Sequence, residues 1–460
     1  MLETHSRDFV TPDHHAEITS KFEQLDIFLE NEDLASAKEV LKSFHYADFT
    51  DFLEKSSIEK RKTIIHILGE ELKPEALVWL DPHIKSSVIN TLGVKQVASL
   101  IDKLDIEDAI EVVEDLSSHT KEKILEYLPE AKQAEINEGF TYPENCAGRI
   151  MEKNFISFAE HWTVGQAIDS IRRQKNNTKD FYAAIVTDTK ERPVGNILLS
   201  TLLKHSRSTP IRELMNEEFK VSDTHTDTDE LSYLFRHYAL TIIPVVNRKG
   251  KLVGTISLDN MVYIIEEQAE EDIMHLAGVT GTDIYSRLHD SVKQRFPWLF
   301  VNLITAFFTS AVISMFEPTI AHMVALASVM PIVASMGGNA GTQTVTVAVR
   351  SIANKDLTSH NSFRVILKEL LTCGFNGLIL GILGAIVVFI LYKDFELSFI
   401  FAVAVLFTFC AAGFFGSAIP IFFNKLKIDP AVASSVFLTA LTDCIGFFTF
   451  LALAKVFIIG

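Results

Sequence analysis

The feature that most constrains this chain is what happens beyond Ser291. From there to the C-terminus it divides into five apolar runs, roughly residues 296–315, 321–349, 365–391, 397–423 and 431–459. Each covers the ~20 residues an α-helix needs to cross a bilayer's hydrocarbon, so this region is expected to fold as a five-span helical membrane domain. Charge separates it from the rest. Residues 291–460 carry ten Lys/Arg and seven Asp/Glu, a net of +3, whereas residues 1–290 carry 32 and 52, a net of −20. The chain therefore reads as an acidic, water-soluble part followed by a membrane part, and 460 residues exceed a single core. Nucleic acid is excluded as a partner, because a chain of net charge −17 offers nothing to neutralise a phosphate backbone.

Orientation follows from the basic residues. Lys293 and Arg295 precede the first run; Arg350, Lys355, Arg364 and Lys368 flank the second connection; Lys425 and Lys427 lie between the fourth and fifth. The other connections hold Lys393, with Lys455 near the end. The positive-inside rule places the N-terminus in the cytosol and the C-terminus outside. The first residues lack the basic-then-apolar layout of a signal peptide, which agrees. The four cysteines, Cys146, Cys373, Cys410 and Cys444, form no disulfide or zinc spacing.

Two features inside the apolar runs carry chemistry. Asp443 lies twelve residues beyond Ala431, about 18 Å along a helix and near the bilayer midplane. A carboxylate at that depth is costly unless it faces a bundle interior or a watered path, so a functional role is the first reading. The alternative is a protonated Asp bonded to a facing hydroxyl. Thr439, Ala440, Thr442 and Gly446 surround it with small and polar groups. The second feature is residues 331–350, PIVASMGGNAGTQTVTVAVR. Pro331, Gly337, Gly338 and Gly341 weaken a helix there, and Asn339, Thr342, Gln343, Thr344 and Thr346 supply oxygens. Irregular, polar backbone at membrane depth suits a pore lining; tight helix packing through the glycines is the competing reading. One carboxylate per chain, doubled across a symmetric dimer, suits a largely hydrated Mg2+; Mn2+, Co2+ and Ca2+ stay open.

The soluble part repeats itself twice. Ile64, Ile65 and Leu68 recur 24 residues on as Val88, Ile89 and Leu92, and again as Val112, Val113 and Leu116. Leu53, Leu77, Ile101 and Leu125 keep the same register. This period predicts stacked short helix pairs in an all-α superhelical domain. After YPENCAGRIM (142–151) the pattern becomes helix–strand–strand–helix, repeated at an offset of 59: Val186, Val194, Gly195 and Ile197 match Val245, Val253, Gly254 and Ile256. That is a paired α/β module whose strands are joined by hairpins, as at Asn247–Gly250. The link to the membrane part, residues 266–279, crowds Glu266, Glu267, Glu270, Glu271 and Asp272 onto two helical turns. It reads equally as a solvated acidic face or as a divalent-ion sensor.

These motifs, in this order, resemble the MgtE family of bacterial magnesium transporters over nearly the whole chain. The resemblance rests on YPENCAGRIM, the two repeats (similar to a tandem CBS pair), EDIMHLAGV (271–279), GGNAGTQ (337–343), and Asp429–Pro430 followed by Asp443. It implies a homodimeric, gated Mg2+ channel with five helices per subunit, carrying the ion down its electrochemical gradient in the cytoplasmic membrane, in contact with lipid. It divides the chain into an N-terminal helical-repeat domain (1–140), two CBS domains (141–208 and 209–262), a connecting plug helix (263–290) and a pore domain (291–460). It assigns the pore ion to Asp443 with Asn339, Thr439 and Ala440, and cytosolic sensing to Asp259, Glu267, Glu271 and Asp272.

The chain departs from the family at the sensor. Arg236, His237, Tyr238 and Ala239, then Asn260, Tyr263 and Gln268, stand where the family carries acidic residues. Basic and neutral side chains are poor ligands for a hard cation, so inhibition by cytosolic Mg2+ is expected to be weakened or shifted. The ribose-binding pattern of CBS pairs is also altered, with Leu198 and Thr201 in one repeat and Ser257 and Asn260 in the other, so ATP is not expected as a ligand. No Walker A motif supports ATP-driven pumping and no enzymatic role is read. A proton-coupled transporter using Asp443 as proton carrier is the runner-up, and a non-transporting membrane sensor is third.

Overall fold

The computed structural model describes residues 14–173, 181–279, 288–358 and 360–459. The chain forms two compact units that divide at residues 264/265.

In the first unit, helices α1 (Ile58–Leu68), α2 (Pro82–Leu92) and α3 (Ile106–Glu114) begin 24 residues apart, as the hydrophobic period predicts. Their starts are set by caps. Ser57 accepts from the Lys60 amide, and Asp81 accepts from His83 and Ile84 with Pro82 at the first helical position. Ile64, Ile65, Val88, Ile89, Val112 and Val113 are all buried. Each such side chain contributes about 1.5–3 kcal/mol of burial. Two charges are buried with them: Arg61, whose guanidinium donates to the Leu53 and Ser56 carbonyls (3.0 and 3.1 Å), and Lys85, whose ammonium, 2% exposed, meets Asp115 at 2.5 Å.

YPENCAGRIM is the joint between the helical repeats and the α/β modules. Arg149 donates to both carboxylate oxygens of Glu114 (3.1 and 2.5 Å) and to the Gly139 carbonyl (3.0 Å). It also lies 4.5 Å from the centre of the Phe140 ring. The Gly148 amide donates to the Thr224 carbonyl at 2.8 Å. A Cβ at Gly148 would sit 2.7 Å from the Tyr142 ring, so only glycine fits.

The α/β modules are two three-stranded sheets of one design. β1 (Ser157–Ala159) runs parallel to β2 (Ala183–Thr187), which pairs antiparallel with β3 (Pro193–Leu198). β4 (Ser222–Asp223), β5 (Ile242–Val246) and β6 (Leu252–Ser257) repeat this arrangement. The registers Val186↔Gly195 and Val245↔Gly254 coincide at the offset of 59, and each sheet has an irregularity just after that valine. Both glycines are crossed by backbone: a Cβ would meet the Asn216 carbonyl at 2.9 Å in one module and the Glu152 carbonyl at 3.0 Å in the other. Helices α4 (Val164–Arg173) and α5 (Thr228–Tyr238) complete the modules. Helix α6 (Leu258–Leu276) follows β6 and runs across the division into the second unit. Of the expected plug helix, residues 280–287 lie outside the described residues.

The second unit holds α7 (Leu288–Ser314), α8 (Ala325–Ala353), α9 (Ser362–Tyr392), α10 (Phe395–Lys425) and α11 (Pro430–Ala454). Four candidate spans are long and apolar enough to cross a membrane: α7, α9, α10 and residues 436–458. Helix α8, with its polar residues, is not one of the four. Nor does α8 break where the sequence analysis expected irregular backbone; it is helical throughout, with Pro331 inside it. Its glycines instead admit neighbours. A Cβ at Gly337 would meet Thr408 Cγ2 at 2.3 Å, and one at Gly341 would meet Leu438 Cδ2 at 2.7 Å. Van der Waals packing at this close approach holds the helix together where glycine propensity alone would loosen it.

Candidate functional site

The pairing of α7 with α11 leaves a cavity of about 630 Å³. Helix α11 presents Thr439, Ala440 and Asp443 to it, so three of the side chains named from sequence are brought to one space. Helix α7 presents Asn302, Thr305 and Thr309. Leu276–Val279, at the end of α6 and just past it, and Arg295 also line it. Thr309 lies level with Asp443, since its Oγ1 is 3.4 Å from Sγ of the adjoining Cys444. Arg295 is fourteen residues earlier on α7, about 21 Å along the axis, so the guanidinium and the carboxylate belong to opposite ends of the cavity.

Asn339 is not among the residues lining this space. It sits on α8 in an exposed polar stripe with Ser335, Thr342, Gln343 and Thr346, while Val333, Gly337, Ala340, Gly341 and Thr344 face inward and are buried. The two readings of residues 331–350 thus occupy different faces of one helix: glycine packing inside, oxygens outside. The Thr342 and Thr346 hydroxyls donate to carbonyls one turn back (3.0 and 2.9 Å), which leaves their lone pairs free to accept.

The acidic residues of α6 are not among those lining the cavity with Asp443. Glu267, Glu271 and Asp272 are exposed, as is Asp259 at the start of the helix. Among the described residues, no three His, Cys, Asp or Glu side chains assemble into a group that could hold a metal ion. Glu271 has a local partner, since its Oε1 is 3.5 Å from His275 Nε2. The other ring nitrogen, Nδ1, is 2.7 Å from Asp429 Oδ2. The second Asp429 oxygen accepts from the Ala431 amide at 2.7 Å and caps α11. The end of α6 is thereby tied to the start of the helix that carries Asp443. Sequence reasoning did not single out His275, and 154 residues separate the pair. It also passed over Asn302, Thr305 and Thr309, whose spacing of three and four residues inside an apolar run was a readable sign of one polar helix face.

In the paired modules, Glu152 Oε1 accepts from Ser257 Oγ (2.6 Å) and from Asn260 Nδ2 (2.9 Å). The Glu152 backbone exchanges hydrogen bonds with Thr255, which fixes that carboxylate over the second sheet.

These features define an α-helical, multi-pass membrane protein whose first half carries helical repeats and paired α/β modules. Comparison with known proteins agrees along the chain. Residues 44–145 match the MgtE intracellular N domain, residues 147–208 and 211–267 match the CBS domain, and residues 330–453 match the MgtE divalent cation transporter domain. The magnesium transporter MgtE of Enterococcus faecalis is 31% identical over 323 residues, covering 70% of this chain and 71% of its own. That of Thermus thermophilus is 28% identical over 436 residues, covering 93% and 96%. Among solved structures, the cytosolic domain of the Mg2+ channel MgtE in complex with ATP matches with a TM-score of 0.50 at 24% identity, covering 53% of this chain and 99% of that one. The chain belongs to the MgtE family of magnesium transporters.

Proposed function

We propose that this protein is a homodimeric, gated channel that passes Mg2+ down its electrochemical gradient across the cytoplasmic membrane, with Asp443 as the waypoint for the ion. The observation that carries the reading is a single carboxylate lining a cavity between two long helices, surrounded by neutral oxygens. Mg2+ prefers oxygen ligands and sheds its waters reluctantly, so a site of few carboxylates around a largely hydrated ion matches its chemistry. Thr439 and Ala440 lie one turn before Asp443, where a hydroxyl and a carbonyl can meet the ion's outer waters.

The uncovered polar stripe of α8 supports the dimer and a fifth span. Asn339, Thr342 and Gln343 turned to lipid would be costly. A second copy related by a two-fold axis would cover them and bring two Asp443 carboxylates toward one axis. Asn339 then belongs to the pore wall. The N-terminus is cytosolic and the C-terminus outside. Cytosolic Mg2+ sensing falls to Asp259, Glu267, Glu271 and Asp272, weakened or shifted because Asn260, Tyr263 and Gln268 bring no charge. Flux recorded against internal Mg2+ tests this, and steep closure at ordinary cytosolic levels would refute it. Co2+ and Mn2+ are candidate competitors for the pathway.

The solved cytosolic domain of the related Mg2+ channel carries ATP. In this chain Ser257 and Asn260, the positions a ribose would need, are engaged by the Glu152 carboxylate. Two side chains that would meet a ribose are thus already bonded within the protein, which disfavours the nucleotide.

Reconstituted liposomes test the proposal. Mg2+ uptake without stoichiometric proton movement is expected, lost in Asp443→Ala and Asp443→Asn. Luminal pH changing in step with Mg2+ would favour the proton-coupled reading, and undiminished flux in both variants would end the proposal.

A further inference from the structure

We propose that the Asn302–Thr305–Thr309 face of α7 is the second wall of the cation pathway, with Asn302 as a residue that sets how Mg2+ moves between Asp443 and the cytosolic end of that pathway. The inference rests on Asp443 being the ion's waypoint.

Helix α7 is otherwise built for lipid: Phe300, Phe307 and Phe308 are exposed. An amide and two hydroxyls on such a helix need a reason, because polar groups turned to hydrocarbon are penalised. The three residues are spaced three and four apart, so they share one side of the helix, and that side lines the cavity containing Asp443. Thr309 is at the level of the carboxylate. Thr305 follows about 6 Å along the axis and Asn302 about 10 Å. The wall therefore offers oxygens at steps of about 5 Å leading away from the charge.

Their chemistry suits a hard cation. Thr305 Oγ1 donates to the Asn302 carbonyl (2.9 Å) and Thr309 Oγ1 to the Thr305 carbonyl (3.2 Å). Both hydroxyls spend their protons inside the helix and keep lone pairs for the cavity. The Asn302 amide adds a carbonyl oxygen. All three are neutral oxygen donors, so each holds the ion more weakly than Asp443 does. Size allows a hydrated ion: six waters occupy roughly 180 Å³, and the cavity holds about 630 Å³. Arg295 repels a cation from the far end, about 10 Å beyond Asn302. Asn302 is then the last oxygen step on α7 before that positive charge. The transporter domain match begins at residue 330, so α7 lies outside it.

The test is Mg2+ flux into liposomes for the full chain and for Asn302→Leu, Asn302→Asp, Thr305→Val and Asp443→Asn, with membrane insertion checked for each. Asn302→Leu should lower flux roughly tenfold or more. Asn302→Asp should recover flux and shift half-saturating Mg2+ several-fold lower, which a merely structural amide would not produce. Thr305→Val should fall between. If Asn302→Leu does not insert, Asn302→Ala takes its place. Wild-type flux and half-saturation in the Asn302 and Thr305 variants, with Asp443→Asn inactive, would overturn the inference and leave the Asp443 reading standing. So would an Asn302→Asp protein as slow as Asn302→Leu. Undiminished flux in Asp443→Asn would overturn the reading beneath it instead.

Discussion

Helix α3 in the first unit and helix α9 in the second arrange their residues in opposite radial order. Helix α3 hides Ala109, Ile110, Val112 and Val113 and keeps its four acids half-buried at the edges of that face. Helix α9 buries Cys373, Gly377 and Gly381 and turns Phe375, Leu383 and Ile386 outward. The first order is what water imposes, since apolar burial is the dominant gain there. The second is what lipid permits, where an outward Phe costs nothing and helices gain by close approach at small residues. Gly377, Gly381 and Gly413 are points of that approach: a Cβ at Gly381 would meet the Ala402 carbonyl at 2.9 Å, and one at Gly413 the Glu369 carbonyl at 2.7 Å.

The contrast can be broken or sharpened by substitution. The largest effect is expected at Asp443, the carboxylate that lines the cavity of the second unit. Asp443→Asn should reduce Mg2+ flux by roughly 10–100-fold while the protein still inserts, as fluorescence of a Mg2+ indicator in liposomes would reveal. Next comes Ile110→Ala in α3, which should cost about 2–5 kcal/mol in a denaturant titration that follows the first unit. Gly413→Ala should cost about 1–3 kcal/mol, because the Glu369 carbonyl is backbone and yields little. Melting of the detergent-solubilised protein reads it. Phe375→Ala removes more atoms than either, yet should change stability by less than about 0.5 kcal/mol, since its ring is 68% exposed. A large loss there would mean that a partner covers this face.

The smallest effect belongs to an exposed pair in the first α/β module. Arg207 donates to both Asp169 oxygens at 2.7 Å and holds that carboxyl below its usual range. A lowered carboxylate stabilises the fold above its unfolded-state pKa, and that contribution fades as pH falls through the folded value. Asp169→Asn should leave the neutral-pH melting temperature nearly unchanged and flatten its decline in acid.

Much of this architecture was legible because its signals are periodic. The 24-residue helix repeat and the 59-residue module repeat recur with their buried valines and isoleucines in place, since periodicity reports which face an element must bury. Asp443 was legible because a charge at that depth stands out in any apolar run. The faces of α8 were not. Glycines and oxygens alternate within the same residues, and the sequence could not say that Gly337 packs on Thr408 while Asn339 faces away. Nor could it pair α7 with α11, because membrane helices of similar hydropathy carry no local mark of their neighbours.

What the sequence determined by itself was the kind of solvent each part would meet and the position of its rare charge, because hydropathy, charge and period are properties of the chain alone. What only the tertiary structure decided was which oxygens share a space with Asp443, and that His275 reaches Asp429 across 154 residues. Those depend on which helices pack together, and helix packing is fixed by surface shape summed over many weak interactions, which no single segment records.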